Sequence, residues 1–102
     1  MKQIILIVWI HFVADFILQT DKMAQNKSKS NLWLMLHVGI YSVPLLIFGF
    51  KYTLLNAALH FFTDWFTSRA TSKLWQSGQR HWFFVVIGLD QAIHLTCLIL
   101  TL

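Results

Sequence analysis

The chain has no glutamate, four aspartates, one cysteine and one proline among its 102 residues. Charged side chains make up 12% of it and hydrophobic ones 57%, where a soluble domain is about a quarter charged. So few charges cannot cover a soluble surface, and a mean hydropathy of +0.60 places the chain in a membrane. A lone Cys97 excludes an internal disulfide and a cysteine-based zinc motif, and reads as a small packing residue. The apolar start lacks a small-x-small cleavage site and is interrupted by His11 and Asp15. It therefore reads as a retained helix and not as a signal peptide. Also missing are a Ser-His-Asp order, a glycine-rich phosphate loop and any known intramembrane protease motif.

What is there is a set of four apolar runs, at about 3–20, 31–49, 52–68 and 81–101, each near the ~20 residues needed to span a bilayer. The sequence predicts an all-α fold: one domain over 1–102, an integral membrane bundle of four transmembrane helices. The first run has eleven Ile, Leu, Val or Phe residues between Ile4 and Leu18. They contribute roughly −3 to −6 kcal/mol of insertion energy against about +3 for Asp15. The third run has six such residues beside Asn56, His60 and Asp64, so it inserts only with its polar face turned into a bundle. Ser30-Asn31 is a good helix start, Pro44 predicts a kink, Gly49 a tight reversal, and Gly88 a close helix contact. Asp21–Ser30 and Arg69–Arg80 are expected as the longer connections.

The net charge of +4 would suggest nucleic acid in a soluble protein. Here the basic residues lie between the apolar runs and encode orientation instead. Lys22, Lys27 and Lys29, with Arg69, Lys73 and Arg80, outnumber Lys2 and Lys51. The first and third loops are thus cytoplasmic and both termini non-cytoplasmic. Trp33, Trp65, Trp75 and Trp82 then fall at the cytoplasmic interface, and Trp9 does not. The expected location is a cell membrane, the bacterial inner membrane.

His11 and Asp15, His60 and Asp64, and in reversed order Asp90 and His94, are three pairs at i, i+4 spacing, the spacing of one helix face. Because the fourth helix runs opposite to the first and third, reversal of its motif keeps each carboxylate on the cytoplasmic side of its histidine. The pairs are expected to stack as a histidine layer over a carboxylate layer. Three buried carboxylates cost roughly 2.5–3.5 kcal/mol each on insertion, and a divalent cation offsets this directly. Imidazole and carboxylate suit zinc first, then manganese, iron or nickel. The expected ligands are His11, Asp15, His60, Asp64, Asp90 and His94. Gln19, His37, Asn56 and Gln91 are expected as outer partners that orient them, His37 having Tyr41 or a helix carbonyl as an alternative partner. Lys73 and Arg80 are candidates for an anionic headgroup, and His81 for a headgroup neighbour.

The residues His11-Phe-Val-Ala-Asp15-Phe-Ile-Leu-Gln19, followed by Lys27, then His60-Phe-Phe-Thr-Asp64 and Asp90-Gln91-Ala-Ile-His94, resemble a bacterial and phage membrane family labelled a domain of unknown function, family 3307. The resemblance covers nearly the whole chain and implies a multi-pass membrane protein. It implies no activity, only that these positions are the family's motif.

Three functions remain open from the residues. One is a metal-dependent hydrolase on a lipid or lipid-linked ester or phosphoester, with one of Asp15, Asp64 and Asp90 as general base on water. A second is a path for protons or metal ions. The third is a phage-type accessory protein whose polar layer fixes helix register or oligomeric assembly.

Overall fold

The computed structural model describes all 102 residues, and every element in it is helical. Helix α1 spans Lys2–Phe12 and continues as a π-helical turn, Val13–Ile17. A short helix α2, Asp21–Asn26, precedes α3, Asn31–Ser42, which tightens into a 3₁₀ segment, Val43–Phe48. Helices α4, Phe50–Gln76, and α5, Arg80–Leu100, complete the chain.

Side-chain contacts fix the helix directions. Between α4 and α5 the bonded pairs are Asn56 with Thr101, Tyr52 with Leu98, Asp64 with His94 and Thr67 with Asp90. One number rises as the other falls, so the two helices are antiparallel. His37 with His60 and Asn31 with Arg69 make α3 and α4 antiparallel in the same way. His11 with Tyr41 and Asp15 with His37 do so for α1 and α3. The result is an up-down-up-down bundle.

Several local features depart from the expected boundaries. The first helix does not run to residue 20. Its i→i+5 bond, Leu18 N–H to Val13 C=O at 2.9 Å, widens the last turn and the helix stops. Thr20 then caps α2, its hydroxyl accepting from Met23 N–H at 3.2 Å. Ser30 precedes α3, but its hydroxyl makes no capping bond. Pro44 lacks an N–H, and the helix answers by tightening to 3₁₀ where a kink was expected. Gly49 makes the reversal at φ 109°, a conformation side-chain-bearing residues avoid. The third helix outlasts its apolar run by two turns, to Gln76. No glycine or proline interrupts it, and Arg69 secures the extension by lying 4.2 Å over the Trp65 ring. Gly88 is not a point of close approach, since a Cβ there would meet nothing within 4 Å.

Burial is inverted relative to a soluble protein. Of 18 buried residues ten are polar or charged, while Phe62, Phe66, Phe84, Leu89 and Ile17 are exposed. On α4 the buried positions are Thr53, Asn56, His60, Asp64 and Ser68, a continuous polar stripe at helical spacing. Two stretches, Asn31–Phe48 and Arg80–Leu100, are long and apolar enough to cross a membrane. An apolar cluster of Ile7, Ala14, Tyr41, Leu45 and Leu98 fills one end, and Met23 and Leu34 are buried apart from it. At the other end α2, α4 and α5 leave a groove of about 420 Å³.

Candidate metal centre

The buried stripe of α4 brings His60 and Asp64 to the bundle axis, where α3 adds His37 and the π turn adds Asp15. A π turn re-aims the residues it contains, and such turns recur at functional sites. Four atoms converge: Nε2 of His37 and His60, Oδ1 of Asp15 and Oδ2 of Asp64. His37 lies 3.1 Å from Asp15, 3.3 Å from Asp64 and 3.1 Å from His60. His60 lies 3.5 Å from Asp15 and 3.1 Å from Asp64. Five of the six spacings are 3.1–3.5 Å and all lie within 4.8 Å; a regular tetrahedron with edges near the five has its centre about 2 Å from each corner, which is the Zn–N and Zn–O bond length. The four residues are each at most 4% exposed.

A second group stands beside the first. Nε2 of His94 lies 2.9 Å from Asp64 Oδ1 and 3.1 Å from Asp90 Oδ2. Asp15, Asp90 and His94 have ligand atoms all within 4.8 Å of one another. The rings are clamped by stacking, His60 on His94 at 3.9 Å between centroids and Tyr41 on His60 at 4.0 Å.

His11 and His37 exchange the places expected of them. His11 belongs to neither group. Its Nε2 faces Gln91 Oε1 at 2.7 Å, and an amide oxygen only accepts, so Nε2 carries the hydrogen. Nδ1 is then the acceptor, and the Tyr41 hydroxyl donates to it at 2.9 Å. The oriented Gln91 amide donates to Asp15 Oδ2 and to Asp90 Oδ2, both at 3.1 Å. Tyr41, His11 and Gln91 thus form a chain that aims two carboxylates, the supporting role common behind metal ligands. His37, expected in that role, is itself among the converging ligands.

Within single helices His60 reaches Asp64 and His94 reaches Asp90, the i, i+4 contacts that join the expected histidine and carboxylate levels. Asn56 does not support the cluster. It donates to Tyr52 C=O and to Thr101 Oγ1, tying α4 to α5 at the apolar end. Gln19 leaves the helix face because the π turn ends α1 before it, and its buried Oε1 has no partner.

Two residues not expected at the site reach it. Lys27, at the end of α2, places Nζ 3.3 Å from Asp64 Oδ2. Thr67 donates to Asp90 Oδ1. Thr67 is one turn on from Thr63 and three residues beyond Asp64, a spacing that could have signalled it. Lys27 carried only its place in the family motif. Lys73 and Arg80 lie apart from the cluster, and Arg80 instead stacks 3.6 Å over Trp75. His81 is exposed beside Trp82.

The groove opens onto the candidate ligands Asp64 and Asp90 and is walled by Lys27, Gln19, Ser68 and Trp75 among others. Ser68 is 7% exposed and its hydroxyl has no hydrogen-bond partner, as is true of Gln19 Oε1 beside it. Buried polar atoms left unpaired cost free energy, and these two line the space a ligand would enter.

Fold and site together define an all-helical bundle with a buried His/Asp cluster able to hold a metal ion. The chain belongs to the family described as Protein of unknown function (DUF3307), which it matches over residues 3–102. No curated protein and no solved structure matches it.

Proposed function

We propose that this protein is a four-span membrane bundle that holds a divalent cation, zinc first, and hydrolyses a lipid or lipid-linked ester from its cytoplasmic side. The observation that carries the reading is the tetrahedral set of His37, His60, Asp15 and Asp64 atoms, spaced as ligands around an ion. Charge supports it. Asp15, Asp64 and Asp90 bring three negative charges and Lys27 one permanent positive charge, and a divalent ion supplies the other two. The inverted burial supports the bilayer setting, since a polar interior and an apolar exterior suit lipid as solvent.

The cation's contribution is Lewis acidity toward water and the ester oxygen. The chain's own residues do the remainder. The groove admits the headgroup, with Lys27, Ser68 and Gln19 as polar partners and Trp75, Phe83 and Ile87 against its apolar neighbour. Asp90, at the groove's inner wall, accepts the water proton as general base and returns it to the leaving alcohol. Tyr41, His11 and Gln91 hold Asp15 and Asp90 in place. The apolar cluster of Ile7, Leu45 and Leu98 favours this reading over a translocation path, because toward that end the polar stripe continues only as Thr53 and Asn56, neither of which ionises.

Elemental analysis of detergent-purified protein, wild type against His60→Ala and Asp64→Ala, tests the cation. The expected result is a retained stoichiometric metal in the wild type only. A wild type that stays metal-free after reconstitution with zinc, manganese, iron and nickel sinks the proposal. Orientation has its own test. Cysteine at Ser28 should react with an impermeant maleimide only from the cytoplasmic side, and cysteine at Lys51 only from the other.

A further inference from the structure

We infer that the cluster is built for two cations bridged by carboxylates, and that the second arrives with a phosphoester headgroup. This rests on the metal-binding reading above and deepens it. Asp64 divides its oxygens: Oδ2 lies 3.3 Å from His37 and 3.1 Å from His60, while Oδ1 lies 2.9 Å from His94. Asp15 is divided as well, with Oδ1 facing His37 and His60 and Oδ2 held by Gln91. A carboxylate split in this way is a bridge between neighbouring ions, and two-metal sites place them ~3.5–4 Å apart. Facing helices of a four-helix bundle are an established frame for such carboxylate-bridged pairs.

The second position has its own terminal ligands. His94 Nε2 and Asp90 Oδ2 are 3.1 Å apart, a spacing like those in the first group. Asp90 then holds the ion through Oδ2 and keeps Oδ1, bonded to Thr67 of the groove wall, for the proton. Gln91 spans the Asp15 and Asp90 oxygens with one amide nitrogen, which holds them apart.

Charge selects the headgroup. With two divalent ions and Lys27 against three carboxylates, the site carries two excess positive charges in a buried setting. A neutral carboxyl ester leaves that excess standing, whereas a phosphate monoester dianion cancels it. The groove opens directly onto Asp64 and Asp90, with Lys27 on its wall and the unpaired Ser68 hydroxyl available to an oxyanion. The balanced reaction is hydrolysis. Water oxygen bonds to phosphorus and the ester P–O bond breaks. The water proton passes through Asp90 to the leaving alcohol, which departs from inorganic phosphate.

The test is the number of manganese or zinc ions per chain, measured with and without inorganic phosphate at millimolar concentration. Two ions per wild-type chain in phosphate, falling to one in Asp90→Asn, is the expected result. Electron paramagnetic resonance of the manganese-loaded wild type should then show an exchange-coupled pair, a readout that needs no variant to fold. One ion per chain with an isolated-ion spectrum, even in phosphate, overturns the pair while leaving the single-cation reading intact. No retained ion under any condition overturns both.

Discussion

The two ends of the bundle use the same four helices to opposite effect. Toward residues 7, 45 and 98 an apolar cluster fills the interior, and the polar groups beside it bond within and between helices, as Thr53 does to Gly49 C=O and Tyr52 to Leu98 C=O at 2.7 Å. Toward residues 19, 68 and 75 hydroxyl, amide and amine groups face a groove that Trp75, Phe83 and Ile87 also line, with Ser68 and Gln19 holding unpaired atoms. The closed end is satisfied by itself and the open end is not. A bundle needing only stability would have closed both ends alike. The polar cluster sits where the two regimes meet, roofed by Tyr41 and floored by the groove.

The sharpest way to break this contrast is to remove a shared ligand. Asp15→Asn keeps shape but deletes the charge contributed to both groups. Cation retention should fall by more than the roughly 10–100-fold that loss of an outer partner costs. Competition against a chelator measures it, and an unchanged affinity would show that Asp15 holds nothing. Leu45→Ala at the closed end should do the reverse. Deleting a fully buried leucine costs about 2–5 kcal/mol, seen as easier unfolding in denaturing detergent, with metal content unaltered. If that variant loses its metal while folded, the two ends are not separate.

His11→Phe separates aiming from ligation. The ring volume stays, but the bonds from Tyr41 and to Gln91 vanish, leaving the Asp15 and Asp90 oxygens less firmly held. The affinity loss should lie within about 10–100-fold, with the ion count unchanged. A fall in ion count, or a loss as large as that of Asp15→Asn, would return His11 to the ligands.

The contrast shows which features could be read from residues alone. Helical pairs at i, i+4 spacing announced the His/Asp positions, because that spacing alone aligns side chains on one face. The same rule failed at Gln19, since it assumes a regular helix and the π turn at Val13–Ile17 breaks the register just before it. Spacing misassigned His11 and His37, since only His11 has an aspartate four residues away. What separates them is a Tyr41 hydroxyl and a Gln91 amide reaching across from other helices, and tautomers are settled only by such cross-chain partners. Lys27 was hidden for a related reason, as it reaches Asp64 from a short helix whose placement no hydrophobic period encodes. The length of α4 was missed because the end of an apolar run marks a change in hydropathy, and a helix can continue past it.

The smallest expected effect is the most exacting check on the closed end. Asn56 donates to Thr101 Oγ1 across to α5 at 2.9 Å and to Tyr52 C=O of its own helix at 3.0 Å, away from the cluster. Interhelical hydrogen bonds in membranes average ~0.6 kcal/mol, because the separated helices find other partners. Asn56→Leu should therefore shift unfolding by about that much and leave cation number, chelator competition and turnover as in the wild type. Asn56 lies one turn from His60 on the same buried stripe. If it served the cluster, removing it would weaken binding by the same factor as His11→Phe. A measurable loss of cation affinity without a matching loss of stability would extend the functional region into the end assigned here to packing.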